Sequence, residues 1–209
     1  MARPREFDPD QAMDKAMELF WDVGYEEASL TELLGTMAIS KGSFYKAFQD
    51  KHSVYVTALD RYDEKVISAT VTFLGDPENG TGRERIISLF QRVEASALSD
   101  GDRLGCFLCN ALVDKAAEGG EVEEKLQAMV LRLEKAFYRA LGDEFREKMI
   151  VSEDILRETA RGVLSIYFGM RLLGRAGLAG TMATDCVGQA DRLITAAVSE
   201  ADGQSHVAN

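Results

Sequence analysis

The chain has 209 residues, 46% of them hydrophobic and 28% charged, and its formal net charge is −11. This composition is typical of a globular protein with a substantial core, and only three prolines with few β-branched runs favour an all-α fold. No apolar stretch of about 18 residues is present for a membrane span. The N-terminal residues lack an apolar signal core, so we expect a cytoplasmic protein with no membrane partner.

The first predicted helix begins after Asp8, which can accept hydrogen bonds from the N–H groups of the first turn. Pro9 follows at the position where a missing N–H costs nothing. Apolar residues then recur at helical spacing, and Gly24 ends the helix. This helix is predicted to brace the two that follow it.

The stretch from Ser29 to Phe48 predicts two short helices joined by a tight turn at Ala38–Ile39. Ser29 caps the first helix, with Glu32 three residues later completing a capping box. Ser40 caps the second. The arrangement is that of a helix-turn-helix.

The second of these helices has two chemically different sides. Phe44, Ala47 and Phe48 share the side predicted for the core. The opposite side, which we call the reading face, consists of Lys41, Gly42, Ser43, Tyr45 and Lys46. Slim residues, cations and a hydroxyl are what a helix needs to enter a major groove. An amphipathic helix pair with a merely solvated face is the alternative.

An acidic net charge is unusual for a protein that binds DNA, but the charges are unevenly spread. The residues in and around the helix-turn-helix include a cluster of cationic or titratable side chains: Arg3, Arg5, Lys41, Lys46, Lys51 and His52. An acidic body with a small basic face limits non-specific DNA binding and leaves affinity to local contacts.

A longer helix is predicted over 51–74, with Lys51 at its N-terminus. Backbone N–H groups and the helix dipole at that end favour a phosphate. Thr31, in the first turn of an earlier helix, is a second candidate for a phosphate contact, or else a solvated residue. Because the helix over 51–74 joins the helix-turn-helix to the rest of the chain, we expect it to transmit a signal between them.

The second half of the chain is predicted to be helical throughout. A loop over 75–82 precedes helices at about 83–98, 104–117, 122–141, 152–176 and 182–201, which makes about nine helices in all. The tail over 204–209 is predicted to be disordered.

The sequence S-K-G-S-F-Y-K-A-F, followed by Q-D-K, closely resembles the recognition helix of the TetR family of bacterial transcriptional regulators. The upstream G-Y-E-E-A-S-L matches as well. The departures are Leu34 for the usual Ala, Ala38 for the usual turn Gly, and Gln49–Asp50 for the common Pro/Ser pair. Ala38 places a Cβ in a tight turn, which favours a small shift of the second helix.

The resemblance implies a helix-turn-helix DNA-binding domain over 1–50 and an effector-binding and dimerisation domain over 51–203. It implies a homodimeric regulator, most often a repressor, that leaves a palindromic double-stranded operator when a small-molecule effector binds. The residues expected to contact DNA are Thr31, Lys41, Gly42, Ser43, Tyr45, Lys46 and Lys51.

The stretch G-C-F-L-C-N-A resembles a Gly-Cys-aliphatic-aliphatic-x-Asn pattern found in one branch of that family. One interpretation makes Cys106 a reactive sensor thiol, or Cys106 and Cys109 a redox or metal-binding pair; a thiol-responsive regulator would follow. The other makes both cysteines small core residues on a helix. A single C-x-x-C with no nearby histidine is weak evidence for zinc, so no metal is expected.

The effector is expected among side chains of the C-terminal helices. Candidates combine aromatic surface with a few polar groups: Phe90, Phe107, Asn110, Phe137, Tyr167 and Arg171. Each is equally consistent with the core of the domain.

Dimerisation is predicted through the helices at 152–176 and 182–201. Gly162 and Gly169 lie seven residues apart on one side of the first, which allows another helix to approach closely. The alternative is that these surfaces close the core of a single chain.

Catalysis is not predicted. The chain has two histidines, no phosphate-cradling glycine loop and no evident nucleophile–base–acid trio, so neither an enzyme nor a cofactor is expected.

Overall fold

The structure is a computed structural model that describes residues 8–98, 104–114, 120–147 and 153–207. Within these ranges all regular structure is helical, which confirms the all-α prediction. The helices are α1 Pro9–Val23, α2 Leu30–Met37, α3 Lys41–Ala47, α4 Lys51–Tyr62, α5 Ser68–Gly75, α6 Gly82–Leu98, α7 Phe107–Leu112, α8 Gly120–Glu147, α9 Glu153–Arg175 and α10 Ala179–Val207.

A π-helical turn, Asp63–Ile67, continues α4 into α5. With α4 and α5 counted as one, the described residues contain nine helices, as predicted, besides a short 3₁₀ turn at Pro77–Asn79. Arg3 and Arg5 lie outside the described residues. The last helix reaches Val207, past the predicted start of the tail at 204, because its single late glycine, Gly203, does not terminate it.

The chain forms two compact units. Unit 1 comprises Met1–Val66 and Phe107–Ala128. Its centre is α1, whose apolar side packs on α2 and α4 and buries Ala12, Met13, Ala16 and Phe20.

Unit 1 does not end at residue 50, where the sequence places a domain boundary. The Phe20 and Tyr55 rings meet edge to face at 5.1 Å, and the Trp21 and Tyr62 rings at 5.0 Å. Phe107, from α7, adds a fifth ring, whose centre lies 6.2 Å from that of Trp21. Aromatic burial of this kind makes α4 and α7 part of the same core as α1.

Ion pairs fasten α1 to the end of α4. Arg61 Nε lies 2.5 Å from Asp14 Oδ1, and Arg61 Nη1 lies 3.1 Å from Asp10 Oδ1. Lys65, in the π-helical turn, also binds Asp14. The hydrogen bonds from Arg61 and then Lys65 lower the pKa of Asp14 to about 2.

Unit 2 comprises Ile67–Cys106 and Met129–Asn209. Its helices α6, α9 and α10 pack on one another around a core that includes Ile86, Phe90, Val163 and Ile194. Gly82 lets the start of α6 approach the backbone of α8, because a Cβ at this position would lie 1.8 Å from the Ala140 carbonyl oxygen. In the part of the chain that the structure describes, no helix is long and apolar enough to span a membrane.

Candidate nucleic-acid interface

Serine caps set the two helices of the helix-turn-helix. The Glu32 N–H donates to Ser29 Oγ at 3.1 Å, and the Ser43 N–H donates to Ser40 Oγ at 3.1 Å. Both caps were predicted from the sequence. They satisfy N–H groups that the first turn of a helix leaves without partners, and so fix where α2 and α3 begin.

The turn between the helices depends on Ala38, which adopts a left-handed conformation at φ 56°, ψ 41°. Its N–H donates to the Gly35 carbonyl at 3.1 Å, and the Ile39 N–H donates to the Leu34 carbonyl at 3.2 Å. The turn therefore keeps the geometry that glycine favours, at the cost of placing a Cβ in it.

Four of the five residues of the reading face are exposed. Lys41, Gly42 and Lys46 lie in solvent, and the Tyr45 ring is 52% exposed. A Cβ at Gly42 would meet nothing closer than 4.0 Å, so the surface there is open. Ser43 is half-buried, and its Oγ accepts a hydrogen bond from Ser40 Oγ at 2.9 Å. Ser43 thus already contributes to the cap of α3.

The core side of α3 is smaller than predicted. Phe44 is fully buried and contacts the Phe48 ring at 5.7 Å, but Ala47 is exposed. The prediction that Ala47 belongs to the core is wrong. The reason is that the chain leaves the helix at Phe48, whose backbone is extended, so the last turn of α3 remains uncovered.

The two predicted phosphate contacts differ in their surroundings. Thr31 is exposed in the first turn of α2. Lys51 is half-buried: its Nζ lies 4.4 Å from the centre of the Tyr25 ring and donates to the Glu26 carbonyl at 3.4 Å. These contacts hold the ammonium group at the N-terminus of α4.

That N-terminus also carries Asp50, whose Oδ1 accepts hydrogen bonds from the Ser53 N–H and the Ser53 hydroxyl, both at 2.8 Å. These bonds lower the pKa of Asp50, so the capping carboxylate is ionised at neutral pH. Asp50 therefore places a negative charge in the first turn of α4, next to the ammonium group of Lys51.

Sequence reasoning missed that α7 and the turn after it hold the end of α1. Asn110 Nδ2 donates to the Trp21 carbonyl at 3.2 Å, and the Tyr25 N–H donates to Asp114 Oδ2 at 2.6 Å. The only sequence signal was the asparagine of the G-C-F-L-C-N-A stretch, which we interpreted as a ligand contact.

The six candidate ligand residues fall into two groups. Phe90 and Phe137 meet the Tyr167 ring in unit 2, at 5.7 and 5.8 Å between centres. Arg171, also in unit 2, donates from Nη2 to the Gly105 carbonyl. The other two, Phe107 and Asn110, belong to unit 1.

Unit 2 also contains an open cavity of about 550 Å³ between α6, α10 and the end of α8. Arg83 and Asp191 both line this cavity and form an ion pair, with Arg83 Nε 2.7 Å from Asp191 Oδ1. None of the six candidate ligand residues lines this cavity.

The three cysteines are free thiols. Cys106 is 3% exposed, and Cys109 and Cys186 are half-buried. Burial, and then the charge of Asp185, raise the pKa of Cys186. Among the described residues no group of three or more histidine, cysteine, aspartate or glutamate side chains is arranged to hold a metal ion.

Two capped helices, joined by a left-handed turn and bearing an exposed face of lysines, glycine and tyrosine, define a helix-turn-helix protein that binds DNA. Residues 12–56 match the model of the tetR family of bacterial regulatory proteins. The HTH-type transcriptional regulator YezE of Bacillus subtilis is 30% identical over 142 residues, which cover 68% of this chain and 72% of that protein. The chain belongs to the tetR family and is a DNA-binding transcriptional regulator.

Further relatives agree with this assignment. The HTH-type transcriptional repressor ComR of Escherichia coli is 26% identical over 175 residues, which cover 84% of this chain and 83% of ComR. A cysteine mutant of the TetR-family regulator CifR, complexed with 26-bp double-strand operator DNA, is 26% identical with a TM-score of 0.74, over 93% of this chain and 99% of that one. The reduced form of E. coli NemR, at 19% identity, shares the fold, with a TM-score of 0.72 over 88% of this chain and 95% of NemR.

Proposed function

We propose that this regulator is a homodimeric repressor that binds a partly palindromic operator in the cytoplasm and leaves it when a small molecule binds the domain over 51–203. The observation that carries the proposal is the reading face: Lys41, Gly42, Tyr45 and Lys46 are exposed together on a helix anchored by the buried Phe44.

Each exposed side chain has a role at DNA. Lys41 and Lys46 neutralise phosphates, the Tyr45 hydroxyl donates to a phosphate or a base edge, and Gly42 lets the backbone approach the groove. With a net charge of −11 on the chain, affinity has to come from these few local contacts.

The names of relatives support repression. ComR and BdcR of E. coli are both named transcriptional repressors, and BdcR is 35% identical over 60 residues that cover 29% of this chain and 30% of BdcR. The CifR structure holds operator DNA. A repressor that occupies an operator blocks transcription by its presence alone, which requires no surface beyond the one that binds DNA.

A homodimer is supported by apolar surface on α9 and α10. Leu172 and Met182 are 54% and 45% exposed, and a Cβ at Gly169 would meet nothing within 4 Å. Gly162, by contrast, is used within the chain, because a Cβ there would lie 2.8 Å from Leu193 Cδ2. A dimer through Gly169, Leu172 and Met182 would present two copies of α3 to successive major-groove faces, about 34–36 Å apart.

The effector would act by binding one conformation better than another. Release from DNA requires that the ligand prefer the conformation in which the two α3 helices no longer match the half-sites. The aromatic side chains of Phe90, Phe137 and Tyr167 are the candidate contacts for its apolar part, and Arg171 for an anionic or carbonyl group.

The test is a fluorescence-anisotropy titration of a duplex covering the protein's footprint on the DNA upstream of its own gene. Tyr45→Ala and Lys46→Ala are each expected to weaken binding by about tenfold, the effect of losing one good DNA contact. Lys135→Ala, which removes the same charge from an exposed position of α8, is the matched control. Wild-type affinity for both α3 variants would refute the reading face.

The alternative of a thiol-responsive regulator acting through Cys106, alone or with Cys109, stays a prediction. Burial of Cys106 shields it from solution reagents, whereas Cys109 is half-buried. Intact-mass measurement after mild peroxide or electrophile treatment, with DNA release followed in parallel, tests it. If Cys106→Ser gains the same adducts as wild type and releases DNA equally, Cys106 is not a sensor.

A further inference from the structure

The end of α1 exchanges its expected hydrogen bond for two bonds to another segment of unit 1. In a continuing helix the Tyr25 N–H would donate to the Trp21 carbonyl, four residues earlier. Here the Tyr25 N–H donates to Asp114 Oδ2 at 2.6 Å, and the Trp21 carbonyl accepts from Asn110 Nδ2 at 3.2 Å. Both backbone groups are satisfied, and α1 ends where these side chains hold it.

Gly24 shapes the turn for this arrangement. Its φ of +84° is in the region that favours glycine, and a Cβ there would lie 3.2 Å from Asp114 Oδ2. The backbone therefore approaches the carboxylate more closely than a side chain at position 24 would comfortably allow.

The backbone that Asp114 holds carries both partners of Lys51. The Tyr25 ring lies 4.4 Å from Lys51 Nζ, and the carbonyl of the next residue, Glu26, accepts from the same nitrogen at 3.4 Å. If Tyr25 and Glu26 move, the ammonium group at the start of α4 loses its support on two sides.

We propose that Asp114, with Asn110, is a positioning residue for operator binding: it fixes Tyr25 and Glu26 so that Lys51 is presented to a DNA phosphate. The inference rests on the phosphate contact proposed for Lys51. Asp114 and Asn110 themselves need not touch DNA.

Asp114→Ala removes the acceptor of the Tyr25 N–H and is expected to weaken operator binding by about fivefold, the effect of one lost hydrogen bond. The slope of log K against log salt should fall, by at most about the one unit that a phosphate contact contributes. Electrostatics alone predict the opposite, because removing a carboxylate makes the protein less acidic and DNA binding tighter.

Two variants separate the hydrogen bond from the charge. Asp114→Asn keeps an oxygen acceptor without the charge, and should bind DNA at least as well as wild type. Glu121→Ala removes a charge from an exposed position on α8 and should leave the salt slope unchanged. A loss of folded protein would appear as a lower active fraction in a stoichiometric titration and not as a change in salt slope.

A double-mutant cycle tests the route through Lys51. Lys51→Met should weaken binding, and Asp114→Ala should add little in the Lys51→Met background because both act on one contact. Additive effects of the two substitutions would overturn the proposed route through Lys51. The same conclusion would follow if Lys51→Met bound DNA weakly but Asp114→Ala bound it with wild-type affinity. Wild-type affinity for Lys51→Met would instead overturn the proposed phosphate contact and the inference with it.

If Asp114→Ala does not fold, Asn110→Ala serves in its place, with an expected weakening of two- to threefold. Wild-type affinity and salt slope for that variant would then overturn the positioning role.

Discussion

Replacing Ala38 by glycine should stabilise unit 1, although alanine-to-glycine changes usually destabilise helical proteins. Ala38 is the C-cap of α2, and at φ 56° it is the single non-glycine residue with positive φ in the described part of the chain. Its N–H donates to the Gly35 carbonyl, a bond that glycine would keep. The substitution therefore removes a Cβ from an unfavourable conformation and changes no hydrogen bond.

The size of the effect follows from two opposing contributions. A left-handed conformation costs an L-residue about 1–2 kcal/mol. Glycine offsets about 0.5–1 kcal/mol of the gain, because it has more backbone freedom to lose on folding. The free energy of unfolding should therefore rise by about 0.5–1 kcal/mol, which corresponds to about 1–4 °C in Tm for a chain of this size.

The sole tryptophan makes the assay specific to this part of the protein. Trp21 lies in unit 1, so the change in its fluorescence on heating or in urea follows the unfolding of that unit. Operator affinity should stay within about twofold of wild type, because the turn keeps its backbone angles. A lower Tm for Ala38→Gly would refute the reasoning.

Gly35→Ala is the matched control. Gly35 lies inside α2, and a Cβ there meets nothing within 4 Å. Alanine should stabilise the helix by up to about 1 kcal/mol. Ala38→Gly and Gly35→Ala are thus both expected to raise the free energy of unfolding, although the first removes a methyl group and the second adds one. The backbone conformation at each position decides the sign of the effect.

Three further predictions concern charge, packing and assembly. Asp14→Asn should lower the free energy of unfolding by about 1 kcal/mol at neutral pH after allowance for solvent screening. Because Arg61 lowers the folded-state pKa of Asp14 to about 2, this loss of stability is full above about pH 4 and vanishes as the pH falls through about 2. Gly82→Ala should cost at least about 2 kcal/mol, because the added Cβ would lie 1.8 Å from the Ala140 carbonyl oxygen. Leu172→Glu should convert the proposed dimer into a monomer, measured by light scattering.

Each of these predictions has a control within the chain. Glu64→Gln, at an exposed position of the π-helical turn, should not reproduce the pH-dependent loss of stability. Gly75→Ala, where a Cβ meets nothing within 4 Å, should change stability by less than about 0.5 kcal/mol. Leu131→Glu, on α8 and 64% exposed in wild type, should leave the assembly intact. Equal effects in control and test variants would contradict the corresponding prediction.

Local sequence signals were enough to predict the helix-turn-helix. Ser29 and Ser40 cap because a serine hydroxyl reaches N–H groups two or three residues ahead, and that geometry depends on neighbours in the chain alone. The exposed lysines and Tyr45 of the reading face follow equally from a period of 3.6 residues. Ala47 departed from the same rule because helical spacing says which side a residue occupies, but not whether another element covers that side.

The sequence by itself determined the all-helical architecture, the capped helix pair and the chemistry of the reading face, because each depends on residues within a few positions of one another. Only the tertiary structure decided what the second half of the chain contributes to the first. Asn110 and Asp114 lie 89 residues from the backbone groups they bind, and no local pattern encodes that pairing. Tertiary packing places Asn110, which the sequence suggested as a ligand contact, against the backbone at the end of α1.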